Sequence, residues 1–262
     1  MSLFQGKQKR IFVIRRRVLV LPAAIVSICL LCWLTTLPAY ISTAATERQL
    51  PIYSVEREEK VCALSFDAAW GSEDTQTLID ILGEANVRTT FFVVGEWVEK
   101  YPEAVRALSE AGHEVMCHSD THAHFNTLTA EAITQDIRTC CDKIEQATGT
   151  RPTLFRPPYG EYDDHVVSTV RGMGLDVIQW DVDSLDWKEI PAAEITQRVT
   201  SKVQPGSIVL FHNAAKHTPE ALPGILAQLQ ADGYRIVPVS ELVLPEPYTI
   251  DHTGKQHPSA PS

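Results

Sequence analysis

The chain has 262 residues, with 23 Lys and Arg against 33 Asp and Glu, a formal net charge of −10. Six of the positives (Lys7, Lys9, Arg10, Arg15, Arg16, Arg17) lie in the first 17 residues without any acidic residue among them, so the remainder stands at −16. So acidic a body excludes nucleic-acid binding through phosphate neutralisation, and its length suits one domain with a single core.

In chain order, the basic segment 1–17 precedes a run from Val18 to Ile41 that holds no charged residue. A run of that length crosses a bilayer core as a helix, and the basic cluster before it is expected to stay cytoplasmic, which puts everything downstream outside the cell. A secretory signal peptide cleaved among the small residues Ser42-Thr43-Ala44-Ala45 is the alternative. Residues 42–60, with Pro51 and the charge-rich Glu56-Arg57-Glu58-Glu59-Lys60, read as a linker.

Seven strand-like apolar runs follow: 61–66, 89–94, 113–118, 153–156, 176–183, 207–212 and 234–239. Helical patterns separate them. Ser72-Glu73-Asp74 and Thr129-Ala130-Glu131 have the character of helix starts, and Gly112, Gly149, Gly172 and Gly233 of helix stops. Strands that alternate with helices imply parallel βα units. Seven units fall one short of a closed barrel, so the fold expected over 61–243 is α/β, an incomplete or distorted (β/α) barrel of about seven parallel strands preceded by one N-terminal transmembrane helix. An open doubly wound sheet is the alternative. The tail 244–262 reads as disordered.

Of six cysteines, Cys29 and Cys32 fall in the uncharged run, Cys62 and Cys117 in strand-like runs, and Cys140 and Cys141 side by side on a helix. No metal-type Cys pair occurs outside the uncharged run, and unpaired buried thiols are the expected state.

Five clusters stand where strands run out: Ser65-Phe66-Asp67-Ala68-Ala69-Trp70-Gly71, His118-Ser119-Asp120-Thr121-His122, Arg156-Pro157-Pro158-Tyr159-Gly160, Asp183-Ser184-Leu185-Asp186-Trp187 and Leu210-Phe211-His212. Parallel α/β folds build their sites at those strand ends, so the clusters converge on one pocket. His118 and His122, four apart, would share a metal ion if the segment is a helical turn. A carboxylate ending a buried strand is costly without a partner, which gives Asp67 the character of a base or ligand and Arg156 that of its ion-pair partner. His212 ends a very apolar strand, and Asp186 is placed to raise its pKa. Trp187 and Tyr159 have the character of walls on which a sugar stacks, or of core aromatics.

Together, in this order and over residues 61–243, these clusters resemble the polysaccharide deacetylase family, carbohydrate esterase family 4, also called the NodB-homology domain. The segment Phe66-Asp67-Ala68-Ala69-Trp70-Gly71 behind an anchor is most similar to the sporulation-associated, membrane-anchored branch. The resemblance implies metal-dependent removal of an N-acetyl group from an amino sugar of peptidoglycan or a chitin-like polymer. Asp67 would be the base, held by Arg156. His118 and His122 would bind a divalent metal, usually zinc, and the Tyr159 N–H would assist at the oxyanion. His212 would be the acid, tuned by Asp186, with Trp187 lining the groove. The family's first motif carries a second aspartate as third metal ligand, and here that position is Ala68. Asp74, Glu73 or Asp120 would then have to substitute. Two other functions stay open: a catalytically impaired glycan-binding module, and an amidohydrolase acting on a small amide.

Overall fold

The chain enters its fold through a two-residue strand, β1 (Ser54–Val55), and continues into β2 (Val61–Ala68), buried along its whole length. A strand covered on both faces must sit inside a parallel sheet flanked by helices. After it come α1 (Thr75–Glu84), β3 (Thr90–Val93), α2 (Gly95–Lys100), α3 (Pro102–Glu110), β4 (Glu114–Cys117), α4 (Ala130–Thr148), β5 (Leu154–Phe155), α5 (Asp164–Gly172), β6 (Asp176–Val177), β7 (Val182–Asp183), α6 (Ala192–Thr200), β8 (Ile208–His212), α7 (Thr218–Ala231), β9 (Arg235–Ile236), α8 (Val239–Leu242), β10 (Tyr248–Ile250) and β11 (Lys255–Pro258). This computed structural model describes residues 48–259 together with Ser27. The basic segment, the run 18–41, and Cys29 and Cys32 lie outside the described residues, Ser27 apart. Among the described residues no helix is long and apolar enough to cross a membrane.

Seven strands follow one hydrogen-bonded path, β6-β5-β4-β3-β2-β8-β7, and β9 pairs with the start of β2; every pairing in this sheet is parallel. The run 176–183 is two strands rather than one. Its halves, β6 and β7, are the two ends of the path, so residues 178–181 must bridge them and the sheet curls into a partial barrel. Strand alternation then sorts the core into two layers. Leu64, Phe66, Phe91, Val93, Cys117 and Phe211 belong to the layer shared with the helices, where Phe66 stacks between Phe91 (4.8 Å) and Phe211 (5.3 Å). Ala63, Phe92, Met116, Leu154, Ile178 and Ile208 form the inner layer.

The linker expected at 42–60 is, from residue 48 on, part of the domain. Ile52 is buried in the inner layer; its N–H donates to the Val177 carbonyl (2.8 Å) and its carbonyl accepts from the Gln179 N–H (2.7 Å), so it fills the opening between β6 and β7. Val55 N–H donates to the Gly206 carbonyl (2.9 Å). A Cβ at Gly206, whose φ is +84°, would stand 1.7 Å from the Val55 carbonyl oxygen, so this approach requires glycine. The tail expected to be disordered is ordered through residue 259: β11 pairs with β1 in parallel and with β10 antiparallel, and buried Gln256 makes two hydrogen bonds to the Leu244 backbone. Polar side chains hid these strands because their stability comes from hydrogen bonds rather than an apolar stripe.

Helix punctuation follows the sequence with two shifts. Thr129 caps α4 through the Ala132 N–H, and Gly149 ends it in the left-handed conformation. Asp74 precedes α1 but makes no capping bond, and Gly172 is the last residue of α5, the left-handed position being Gly174 (φ +82°). Because Ile52 is fully buried at the seam, Ile52→Ala should lower the unfolding free energy by about 2–4 kcal/mol, the usual cost of such a truncation. Urea unfolding would read this as a lower midpoint with an unchanged slope.

Candidate active site

Parallel register places the first two groups. Asp67 on β2 is the direct partner of His212 on β8, so both stand at the carboxyl end of the sheet at one level. Cys117 and Phe155 are partners on β4 and β5, which sets His118 and Arg156 one residue beyond at the same rim.

Arg156 is fully buried and forms the floor. Its Nη1 donates to Asp67 Oδ1 (2.8 Å), and its Nη2 donates to Ser65 Oγ (2.9 Å) and the Gln179 carbonyl (3.2 Å). The guanidinium lies 4.1 Å from the Phe92 ring centroid and 5.6 Å from that of Trp180. Ser65 donates its own proton to the Val209 carbonyl (2.7 Å), leaving its lone pairs to the arginine. Burial pushes the Asp67 carboxyl upward, but Arg156, with His118 and His212, overrides it and holds the group below its ordinary value. Asp67 is therefore a carboxylate that survives burial.

The same arginine aims a histidine. Its carbonyl, which can only accept, takes the His118 Nδ1 proton at 2.8 Å, leaving the lone pair on Nε2, 3.6 Å from Asp67 Oδ2. His122 reaches the same place from a loop, not from the helical turn that the spacing predicts. Ser119 (φ +71°) and His122 (φ +53°) are left-handed, and the His122 N–H donates to Ser119 Oγ (2.9 Å), which folds the second ring back to 5.1 Å from the first. His122 Nδ1 is buried without a hydrogen-bond partner. Burial lowers both histidines, His122 to about 4 with His118 adding to the effect. They are neutral at physiological pH, the state in which imidazole binds a metal.

These two nitrogens fit two positions around a divalent ion. The expected substitutes for the third ligand do not join them. Asp74 Oδ2 accepts from the Ala214 N–H (2.8 Å), Glu73 is exposed, and Asp120 Oδ1 stands 2.8 Å from Lys143 Nζ. Ala68 is fully buried at the end of β2. Among the described residues no group of three His, Cys, Asp or Glu side chains is placed to hold a metal.

Across the pocket, Asp186 is completely buried. Its Oδ1 accepts the His212 Nδ1 proton (2.8 Å), and its Oδ2 accepts from the His212 N–H (2.8 Å) and Thr218 Oγ1 (2.7 Å). Burial lowers the His212 pKa, but hydrogen bonding and charge from Asp186, with Asp67 and Asp183, raise it overall. Among the described residues three large apolar side chains stay exposed: Trp70 (64 %), Tyr159 (56 %) and Trp187 (55 %). All three line the same cavity of about 480 Å³, with Asp67, His118, His122, Trp180, Asp183 and His212. His124 stacks on Tyr159 at 4.4 Å and is itself held by Glu161 (2.9 Å).

The comparisons with known proteins converge on one family. Residues 54–178 match the polysaccharide deacetylase family. The structure is similar to that of BA3943, a CE4 family pseudoenzyme from Bacillus anthracis, with 34% identity, a TM-score of 0.71, and coverage of 74% of this chain and 69% of that one. It is also similar to the peptidoglycan deacetylase PdaC of Bacillus subtilis, with 36% identity, a TM-score of 0.65, and coverage of 72% of this chain and 92% of that one. The chain belongs to the polysaccharide deacetylase family. A mutant of the Bacillus anthracis pseudoenzyme is described as having restored enzymatic activity. Among curated proteins, the peptidoglycan-N-acetylglucosamine deacetylase PgdA of Listeria monocytogenes is 35% identical over 211 residues, 78% of this chain. The chain spans 44% of the length of PgdA and 40% of that of full-length PdaC.

As in the clusters read from the sequence of this polysaccharide deacetylase family member, Ser65 and Trp70 stand with Asp67, Ser65 beside Arg156 and Trp70 as a third exposed ring. Gln179 and Trp180 around Arg156, Thr218 on Asp186 and His124 stacked on Tyr159 lie outside those clusters. Because Asp186 stabilises the imidazolium, this pair adds stability that is complete below the ordinary histidine pKa of 6.5 and is lost as pH rises through the raised value of His212. Asp186→Asn should therefore move the His212 pKa downward. Titration of the ring protons by NMR measures it, and an unchanged midpoint would remove Asp186 as the cause.

Proposed function

We propose that this domain is an N-deacetylase that hydrolyses the acetamide of an N-acetylated amino sugar in a cell-wall polysaccharide, peptidoglycan before a chitin-like polymer. The observation that carries this reading is the pair of opposed groups at one register level: a carboxylate held ionised at Asp67 and an imidazole held toward protonation at His212. Amide hydrolysis needs a base for water and an acid for the departing amine, and the two charge states supply them in the resting site.

In this mechanism Asp67 Oδ2 takes a proton from the attacking water while Arg156 fixes the opposite oxygen. His212 Nε2, directed outward because Nδ1 is bound to Asp186, gives its proton to the amine nitrogen. The backbone N–H of Tyr159 stabilises the oxyanion. Trp70, Tyr159 and Trp187 offer flat faces to the sugar ring, so in so acidic a domain binding comes from stacking and hydrogen bonds within the groove rather than long-range attraction. A divalent ion, zinc by the preference of imidazole donors, would be held by His118 and His122 and when bound supplies Lewis-acid polarisation of the acetyl carbonyl. The setting proposed is the outer face of a cell membrane, with 18–41 as anchor, and the sporulation context rests on the motif 66–71 alone.

Ala68 and the likeness to a pseudoenzyme favour a second reading, a glycan-binding module with impaired hydrolysis. Acetate release from peptidoglycan and chitin oligomers in the presence of zinc separates the two. On the first reading the wild type releases acetate, and Asp67→Asn and His212→Ala each lose about 100-fold or more while oligomer binding persists. Oligomer binding with acetate release no higher than in Asp67→Asn would establish the second. Direct metal titration tests the ion: His118→Ala should abolish stoichiometric binding. Ala68→Asp, which restores the family's carboxylate, should tighten binding by about tenfold or more, since even a partner that only orients a metal ligand is worth about 10–100-fold.

A further inference from the structure

The loop 119–122 folds His122 back onto His118 through a backbone that must be held in place. Ser119 and His122 both lie in the left-handed region, which costs an L residue free energy and persists only where the surroundings enforce it. Two helices supply that enforcement. From the first turn of α2, the Gly95 and Glu96 N–H groups donate to the Ser119 and Asp120 carbonyls (2.9 and 3.0 Å), an approach so close that a Cβ at Gly95 would stand 1.9 Å from Asp120 Oδ1. The donors of the loop go instead to α4. Asp136 Oδ1 accepts from the Asp120 N–H (2.7 Å), and its Oδ2 accepts from the Thr121 hydroxyl (2.9 Å). Two turns along the same face of α4, Lys143 Nζ holds the Asp120 carboxylate (2.8 Å) and reaches Glu99 (3.2 Å). Among the described residues Asp136 is the one side chain outside the loop that accepts from the loop's backbone.

We propose that Asp136 is a positioning residue for the two-histidine site: it does not line the cavity, and it acts by fixing the two residues next to His122. The inference rests on the reading of His118 and His122 as metal donors. The two rings are held by different means. His118 is tied to the Arg156 carbonyl, whereas His122 Nδ1 has no hydrogen-bond partner, so the direction of the second ring comes from its backbone and from packing against other rings, of which Tyr159 is itself exposed. Without Asp136 the Asp120 N–H and the Thr121 hydroxyl can pair with water, the left-handed residues are free to relax, and the His122 ring moves off His118. Since no third side chain among the described residues completes the site, the loss of aim in one nitrogen of two is felt in full. A carboxylate serves both donors at once. Asparagine preserves the pattern, because its oxygen can accept from the Asp120 N–H while its NH2 group donates to the Thr121 hydroxyl.

The test reads the place of the His122 ring in the metal-free full chain and the zinc affinity as two separate measurements. In Asp136→Ala the NMR contacts of the His122 ring with the Tyr159 and His118 rings, whose centroids lie 4.5 and 5.1 Å away, should vanish while the His118 ring stays against Arg156. Calorimetric titration should show zinc bound about 10–100-fold more weakly, the usual cost of losing a group that orients a ligand. Asp136→Asn should keep both properties. Thr121→Ala, an exposed change that removes one of the two bonds, should show both effects in smaller measure and serves where Asp136→Ala does not fold. Wild-type ring contacts or wild-type zinc affinity in either alanine variant would overturn the proposal. So would an equal loss in Asp142→Ala, a carboxylate on the same helix that pairs with Arg151 instead. A wild type that binds no zinc, with ring contacts that still depend on Asp136, would remove the metal reading and leave the positioning role standing.

Discussion

The buried pair of Asp67 and Arg156 is the constraint on which the rest of the site depends. Removing a carboxylate and a guanidinium from water costs several kcal/mol per ion, and their attraction offsets this only with good geometry and further hydrogen bonds. Here Ser65 and the Gln179 carbonyl take the second guanidinium nitrogen and the Phe92 and Trp180 rings cover the cation, while Nε stays buried without a partner. Lysine could not replace it, since one ammonium cannot reach three acceptors in a planar fork. The arginine acts twice, because its carbonyl fixes the tautomer of His118 while its side chain fixes Asp67. One residue thereby sets the spacing between a carboxylate and a metal-type imidazole.

Against that fixed floor, the opposite wall is tuned by a second buried carboxylate. Asp186 accepts from the His212 ring, the His212 backbone N–H and the Thr218 hydroxyl, so one side chain holds the histidine at both its imidazole and its backbone. Two carboxylates in one pocket thus have different duties because of what neutralises each: a permanent cation beside Asp67, a titratable ring beside Asp186. The weak quarter is the metal position, where two well-aimed nitrogens have no third protein partner among the described residues.

Much of this was legible in the chain because strand ends in a parallel fold are where apolar runs meet polar residues. Asp67, His118, Arg156 and His212 all fall at such junctions, and the pocket follows from register. The loop 119–122 was not legible, since a spacing of four fits a helix as well as a left-handed turn, and only φ values distinguish them. Nor was the break in 176–183, where Val177, Ile178, Trp180 and Val182 among polar residues read as one strand but cross from one edge of the sheet to the other. Ile52 and the strands near residue 256 carry no periodic stripe at all. Their places are fixed by backbone hydrogen bonds to elements remote in sequence, a kind of information that side-chain pattern does not hold.

That seam also orders events in time. β1 and β11 pair Ser54 with Lys255, so the bond between them closes nearly the whole length of the domain. Loop-closure entropy makes such a pairing late, after the local βα units have formed. Until that pairing forms, β1 lacks its partner strand and presents an edge open to water and to other chains. The least conspicuous stretch of the molecule is therefore the one expected to close last, and the β1 edge is the part left open to proteolysis until it does.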